Sequence, residues 1–587
     1  MGNIFNRIRN FKLPTKHEIR VAISSFQKKE KLIFLGLCAV LIISTISILE
    51  NINKMFMVEV PMSGGSFSEG IVGTPRFVNP ILALSDADRD MTSLIYSGLM
   101  RKSPDGSIIP DLAEKYEMSP DGMSYTFTLK DKISFQDGTP VTADDIIFTI
   151  NKIEDPLVKS PHKNNWDGIT AEKIDEKTIK FNLKQPYTSF LENATLGILP
   201  AHIWKNSPIE LNTANVNPIG SGPYQVKKVS KQASGIIDYY DLTQFKKFIL
   251  GRPFINDITV KFYPNEDELV FALKNGDVDQ ISSITPENAE TLKETNYRVE
   301  SSILPRVFGL FFNQNQNQIF TDKNIVSAIN QAIDKDKIIT EVLHGYGVAI
   351  DDPIPPNLIA YQKLNDDVKS SHEDGLKKAQ AILAKDGWTK GPDGLLQKTT
   401  VDKKKKKVTK SNTSLQFTIS TGNAPELAKA AELIATDLTQ LGMKVDVKTF
   451  EIGNLNQTVI RPRKYDALLF GEIITHESDL FAFWHSSQRK DPGLNVAMYT
   501  NAKVDKILED ALVTVDEKSR IKKYSQFEDE IRKDMPAVFL YSPSFVYVVS
   551  KKLDGLAIDH ITNPGDRFLN VYKWSIDKDY IWKIFSK

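Results

Sequence analysis

Apolar positions along this 587-residue chain fall into three kinds of pattern. Leu32 to Leu49, LIFLGLCAVLIISTISIL, is an unbroken run of eighteen residues without a charge, just long enough as a helix to cross a bilayer. Beyond it, strict alternation marks half-buried strands. Tyr125, Phe127 and Leu129 alternate with Thr126 and Thr128; Ile179, Phe181 and Leu183 share one face of a second strand, and Ile258, Val260 and Phe262 one face of a third. Helical spacing puts Leu427, Ala431, Ile434, Leu438 and Leu441 on one side of a helix over Pro425–Leu441. Asn423 is its expected cap and Gly442 its stop, and a strand over Lys444–Phe450 follows. Turn signals punctuate these elements: Ser-Pro-Asp-Gly at Ser103–Gly106 and Ser119–Gly122, then Asp137-Gly138. Thr142 is placed to cap a helix, with Asp145 three residues on. Strands and helices interleave, which predicts a mixed α/β architecture without internal repeats.

Charge changes the reading of the N-terminal run. Arg7, Arg9, Lys12, Lys16, Arg20, Lys28, Lys29 and Lys31 precede it, opposed only by Glu18 and Glu30. The positive-inside rule puts residues 1–31 in the cytoplasm as a basic tail and everything after Glu50 outside. A cleaved signal peptide needs a shorter apolar run and a small-x-small site, and the run continues through Ser44-Thr45-Ile46-Ser47. A lipoprotein would carry its cysteine at the end of the run; Cys38 follows Leu37 in the middle. An uncleaved signal anchor over 32–49 fits best, giving a single-pass protein of the cell membrane with its large domain on the extracytoplasmic side. Cys38 is the single cysteine, so neither an intramolecular disulfide nor a thiolate metal site can form.

Composition is that of a globular protein, 41% hydrophobic and 25% charged, and the length calls for two or three domains. Without the basic tail and Glu50 the remaining residues carry a net charge near −5, which argues against nucleic acid as a partner. The run Lys403–Lys407 reads as a solvated hairpin tip between Leu396 and Leu415. Nothing in the pattern reads as an active site. His476-Glu477 lacks the second histidine four residues on that a zinc-protease helix needs, since Leu480 stands there. Gly220-Ser221-Gly222 lacks the spacing of a nucleophile elbow. Asp144-Asp145 and Asp351-Asp352 read as helix-start or loop charges, and no Walker motif occurs. No enzyme, no metal and no cofactor are expected.

The order of short motifs decides the class. Tyr96 to Phe148 carries both Ser-Pro-Asp-Gly turns and the Thr142 cap. Asn79-Pro80 precedes it, and Gly220-Ser221-Gly222-Pro223-Tyr224 follows. Then come Gly276-Asp277-Val278-Asp279, Phe312-Asn313, a helix Ile325–Leu343 with Ala332-Ile333-Asp334, Lys385-Asp386-Gly387-Trp388 and Tyr499-Thr500-Asn501. In this order they resemble the bacterial extracellular solute-binding proteins of the oligopeptide/dipeptide type, family 5, the substrate-binding components of ABC importers. The resemblance covers about Gly70 to Gly555. It implies a two-lobed periplasmic-binding-protein-like α/β fold with an extra inserted domain, preceded here by one transmembrane helix. Lobe I is expected at 60–112, 216–303 and 546–587, the inserted domain at 113–215, and lobe II at 304–545. Chain crossings are expected near Leu304-Pro305 and Tyr541-Ser542-Pro543.

The resemblance also implies a function: a membrane-tethered protein that captures a peptide or similar small-molecule solute between its lobes and delivers it to an ABC permease. An interaction or sensory protein on the same scaffold is the alternative. In peptide-binding relatives, the loop after a Tyr-Asp-Ala strand carries an aspartate that holds the ligand's α-ammonium. Here Tyr465-Asp466-Ala467 leads to the loop Gly471–Asp479, and alignment puts neutral Ile474, or by a second count Thr475, at the aspartate's place. Glu472 and Glu477 are the candidate substitutes, His476 lies between, and Trp166 and Trp484 are candidate cleft walls.

Overall fold

The computed structural model describes residues 15–187, 189–293, 296–358, 372–402 and 409–585. They belong to two compact units, one drawn from Met1–Met62 with Asp577–Lys587 and the other from Ser63–Ile576. In the smaller unit a helix over Lys16–Ser25 starts at Thr15, whose hydroxyl accepts from the Glu18 amide while the Glu18 carboxylate accepts from Thr15. A second helix, Lys28–Phe56, contains the whole apolar run and buries none of its residues. It is long and apolar enough to cross a membrane. The strand Met57–Pro61 follows it directly and pairs antiparallel with Lys578–Trp582. Residues 578–582, which the expectation runs on from lobe I, are thus held beside the strand that follows this helix, and Trp582 Nε1 donates to Asn53 Oδ1 at 2.9 Å.

The larger unit is mixed α/β, built on a twelve-stranded sheet. Its two halves are joined by one long strand, Ala537–Ser550. The first part of that strand pairs with Arg306–Phe312, through Val538↔Leu310 and Tyr541↔Phe308. The second part pairs with Tyr297–Ile303, from Ser544↔Ile303 to Ser550↔Tyr297. The chain therefore passes between halves twice, at Leu304-Pro305 and at Ser542-Pro543. Each half has its own core. Phe67, Met91, Tyr240 and Trp574 pack in the first. In the second, apolar clusters lie on either side of the strand Ala467–Ile473, with Leu469 in one and Leu468 in the other. A separate four-stranded antiparallel sheet, ordered Ala113–Met118, Ser124–Leu129, Thr178–Leu183, Ile169–Lys173, covers the first half. Its inward residues Tyr125, Phe127, Ile179 and Phe181 join the first core. Two lobes with an inserted domain result.

Local chemistry explains most of the elements. The strand Ser124–Leu129 buries every second residue, as its alternation requires. Thr142 and Asp145 form the reciprocal cap of the helix Ala143–Glu154. Gly220 allows a close approach: a Cβ there would lie 2.1 Å from the Ile95 carbonyl oxygen. Two expectations are corrected. The helix Pro425–Leu441 does end at Gly442, in the left-handed region at φ 102°, but its N-cap is Ala424. Asn423 is taken up by the sheet instead, its amide donating to Phe450 O. The single helix expected over Ile325–Leu343 is two, Lys323–Ala332 and Lys335–Glu341, because the Asp334 carboxylate accepts from the Lys337 amide and caps a new helix. Lys403–Lys407 lies outside the described residues.

One buried polar network ties the first lobe together. Arg567, from the C-terminal part of the chain, is fully enclosed. Its Nε and Nη2 donate to Glu69 Oε1, at 3.1 and 2.9 Å. Nη1 and Nη2 reach Asp90 at 2.9 and 2.7 Å, and Nη1 also donates to Pro564 O at 2.7 Å. All five N–H groups of the guanidinium find acceptors. The Tyr547 hydroxyl donates to Glu69 Oε2 at 2.8 Å.

Candidate functional site

The first crossing, at Leu304-Pro305, and the Tyr-Asp-Ala strand converge. Ala467–Ile473 runs antiparallel to Arg306–Phe312, with Ile473 opposite Arg306 and Glu472 opposite Val307. The Ile474 amide donates to Pro305 O at 2.9 Å. The loop that follows therefore springs from the crossing itself and meets the inserted domain. His476 Nε2 contacts the Glu192 carboxylate, and Ser478 Oγ lies 3.3 Å from Ser189 Oγ.

Asp479 organises the loop from within. Its Oδ2 accepts from the Thr475 amide and hydroxyl and from the His476 amide, at 2.9 to 3.0 Å. Burial opposes its ionisation, but the His476 ring and these donors outweigh that and hold its pKa below the usual carboxylate value. The Tyr187 phenol is pushed up first by burial and then by the charge of Asp479. Glu477 is half-buried, and its charge acts on Tyr524 and His560.

The other expected site residues face inward. Ile474 is fully enclosed in the second lobe's core, as is Trp484, which packs against Phe311, Tyr499, Phe527 and Phe539 at ring distances of 5.8 to 6.3 Å. Trp166 is 2% exposed and packs against Phe181 and Phe190 inside the inserted domain. Neither indole offers a free face. Glu472 is also enclosed, at 1% exposure, and its Oε2 has no hydrogen-bond partner. It lines a cavity of about 380 Å³, and burial pushes its pKa well above the ordinary value.

Three positions at this junction were not singled out by the sequence patterns. Arg306 sits at the crossing, half-buried, with its Nε enclosed and unpartnered. Burial lowers its pKa, and the charge of Asp86 in the first lobe opposes that. Ser189 and Glu192 meet the loop from a segment nearly three hundred residues away. No local periodicity marks such a pairing. A separate cavity of about 300 Å³ is lined by Tyr96, Arg101, Asp111 and Tyr572 among others, with none of the loop Ile474–Asp479 in its lining. Among the described residues no group of three or more His, Cys, Asp or Glu could hold a metal ion.

This geometry suits a gripping cleft: two lobes, two crossings, and a loop meeting the inserted domain opposite. Comparison with known proteins agrees. Residues 107–491 match the bacterial extracellular solute-binding proteins, family 5 Middle. The chain is 29% identical over 529 residues to the oligopeptide-binding protein AppA of Bacillus subtilis (strain 168), covering 88% of this chain and 93% of that one. The solved structure of AppA in complex with a nonapeptide superposes with a TM-score of 0.64 at 28% identity, covering 88% of this chain and all of that chain (100%). NikZ from Campylobacter jejuni in complex with Ni(L-His) gives 0.67 at 26% identity, covering 87% and 99%. Since the family match alone spans most of the two lobes and the relatives are matched almost end to end, this chain belongs to the bacterial extracellular solute-binding proteins, family 5.

Proposed function

We propose that this protein captures a peptide or a similar solute outside the cell, closes two lobes around it without chemical change, and passes it to an ABC permease. The helix Lys28–Phe56 tethers it to the membrane. The lobes are taken as 60–112, 216–303 and the chain from 546 onward for the first, and 304–545 for the second, with 113–215 inserted. The observation that carries the reading is the junction. Two chain crossings form a hinge, and the loop Ile474–Asp479 reaches from it to Ser189 and Glu192, so a solute between the lobes would be enclosed by closure. Arg306, on the floor of that junction, is the group placed to receive an anionic part of the solute, because a half-buried guanidinium with an unpartnered N–H gains most from a charge-assisted bond. Ile474 is enclosed and cannot serve a ligand ammonium.

Native mass spectrometry of the full chain, released from membranes in detergent, tests this. A co-purified small molecule or peptide of defined mass, lost on mild unfolding and recovered unchanged, is the expected result. A chain that carries nothing and takes up no peptide would favour the interaction or sensory reading. Intact mass retaining Met1 or Gly2 checks the tether; a mature chain beginning near residue 50 would remove it.

A further inference from the structure

The cavity beside Glu472 has the build of a pocket for a cationic side chain. Glu472 lies on the face of its strand that carries Leu468 and Phe470, turned into the second lobe. Its carboxyl is enclosed, and one oxygen has no partner in the fold. Such an atom normally finds a hydrogen bond, and an isolated buried carboxylate is among the costliest groups a fold can keep. The walls are apolar along most of their length: Ile452, Ile460, Phe470, Phe483, Leu494 and Val496. A volume of about 380 Å³ is ample for one long side chain.

Charged groups in the lining do not neutralise Glu472. Arg463 is committed to backbone, donating to the carbonyls of Ile460, Arg489 and Gly493 at 2.6 to 3.0 Å. Arg461 is exposed and lies 3.8 Å from Asp491. Burial raises the pKa of Glu472 well above the ordinary carboxylate value. The pocket thus combines largely apolar walls with an enclosed acid that has an unpartnered oxygen, complementary to a methylene stem that ends in an ammonium or guanidinium. Along the sheet Glu472 pairs with Val307, the residue that follows Arg306 at the crossing.

We propose that this pocket receives a lysine- or arginine-like side chain of the solute held between the lobes, with Glu472 as the specificity-determining acceptor. The inference rests on the peptide-capturing reading above. Two sets of pentapeptides test it with the full chain in detergent: pentaalanine bearing one lysine at each position in turn, and the same set with norleucine, which keeps the four-carbon stem and lacks the ammonium. Calorimetry on wild type is expected to find one position where lysine binds about ten-fold or more tighter than norleucine. In Glu472→Gln the ratio of lysine to norleucine affinity at that position is expected to fall below about three-fold. If both sets bind but lysine is never preferred, or if its preference survives in Glu472→Gln, the pocket is not a cation subsite and peptide capture still stands. Failure of every peptide to bind wild type would overturn peptide capture and the subsite together.

Discussion

Arg567 in the first lobe and Glu472 in the second are both closed off from water, and their surroundings are opposite. Arg567 spends all five donors on Glu69, Asp90 and Pro564. Burial still pushes Glu69 up to about 7 against the pull of that guanidinium, so the network is expensive, yet every member is answered. Glu472 is answered by nothing at its Oε2. A satisfied buried charge network fixes how distant parts of a chain meet; here it binds residues 69, 90 and 567 into one lobe. An unsatisfied one lowers stability and is retained where something else uses it. The contrast separates architecture from recognition.

Breaking the first side of the contrast should give the largest effect. Arg567→Met leaves Glu69 and Asp90 enclosed without a counter-charge, and a loss of about 3–5 kcal/mol is expected in thermal or denaturant unfolding. A loss below about 1 kcal/mol would mean that the carboxyls never needed the guanidinium.

Glu472→Gln should act in the other direction, with a sign set by linkage. The folded-state pKa of Glu472 lies above the ordinary 4.5, so the unfolded chain releases this proton first. Wild type therefore loses stability as pH climbs from about 4.5 toward the folded value, and the glutamine variant does not. Melting curves should show the variant gaining on wild type between pH 4.5 and 8. A difference that is flat with pH would place a partner on Glu472.

Sequence pattern and structure part company at the same kind of place. Strands with one wet face were legible because alternation is a local property: Tyr125, Phe127 and Leu129 point inward as expected. Turns needing positive φ, at Gly106 and Gly122, were legible for the same reason. Asn423 and Asp334 misled because capping residues serve whichever neighbour claims them, the sheet edge in one case and a new helix in the other. At the site, Ile474 and Trp484 drew attention by their position in a motif. Alternation from Leu468 through Phe470 carried the better signal, since it already turns Glu472 inward. Glu192 and Ser189 could not be read at all, because their partners are nearly three hundred residues away.

The smallest expected effect belongs to the contact between the loop and the inserted domain. His476 and Glu192 are about a quarter exposed, 26% and 27%, and a pair so open to solvent contributes no more than about 1 kcal/mol. Glu192→Gln should leave the melting temperature nearly unchanged while shifting the solution ensemble toward a larger radius of gyration. A variant as compact as wild type would show that closure does not depend on this contact.

Closure around a solute is the central claim, and small-angle scattering tests it most directly. The solute released from the purified chain is added back to stripped, refolded protein, and the radius of gyration and the solute's mass are followed together. The expected result is compaction at saturating solute, with the solute recovered chemically unchanged. An unchanged radius at saturation would contradict closure, and a converted solute would contradict a binding protein.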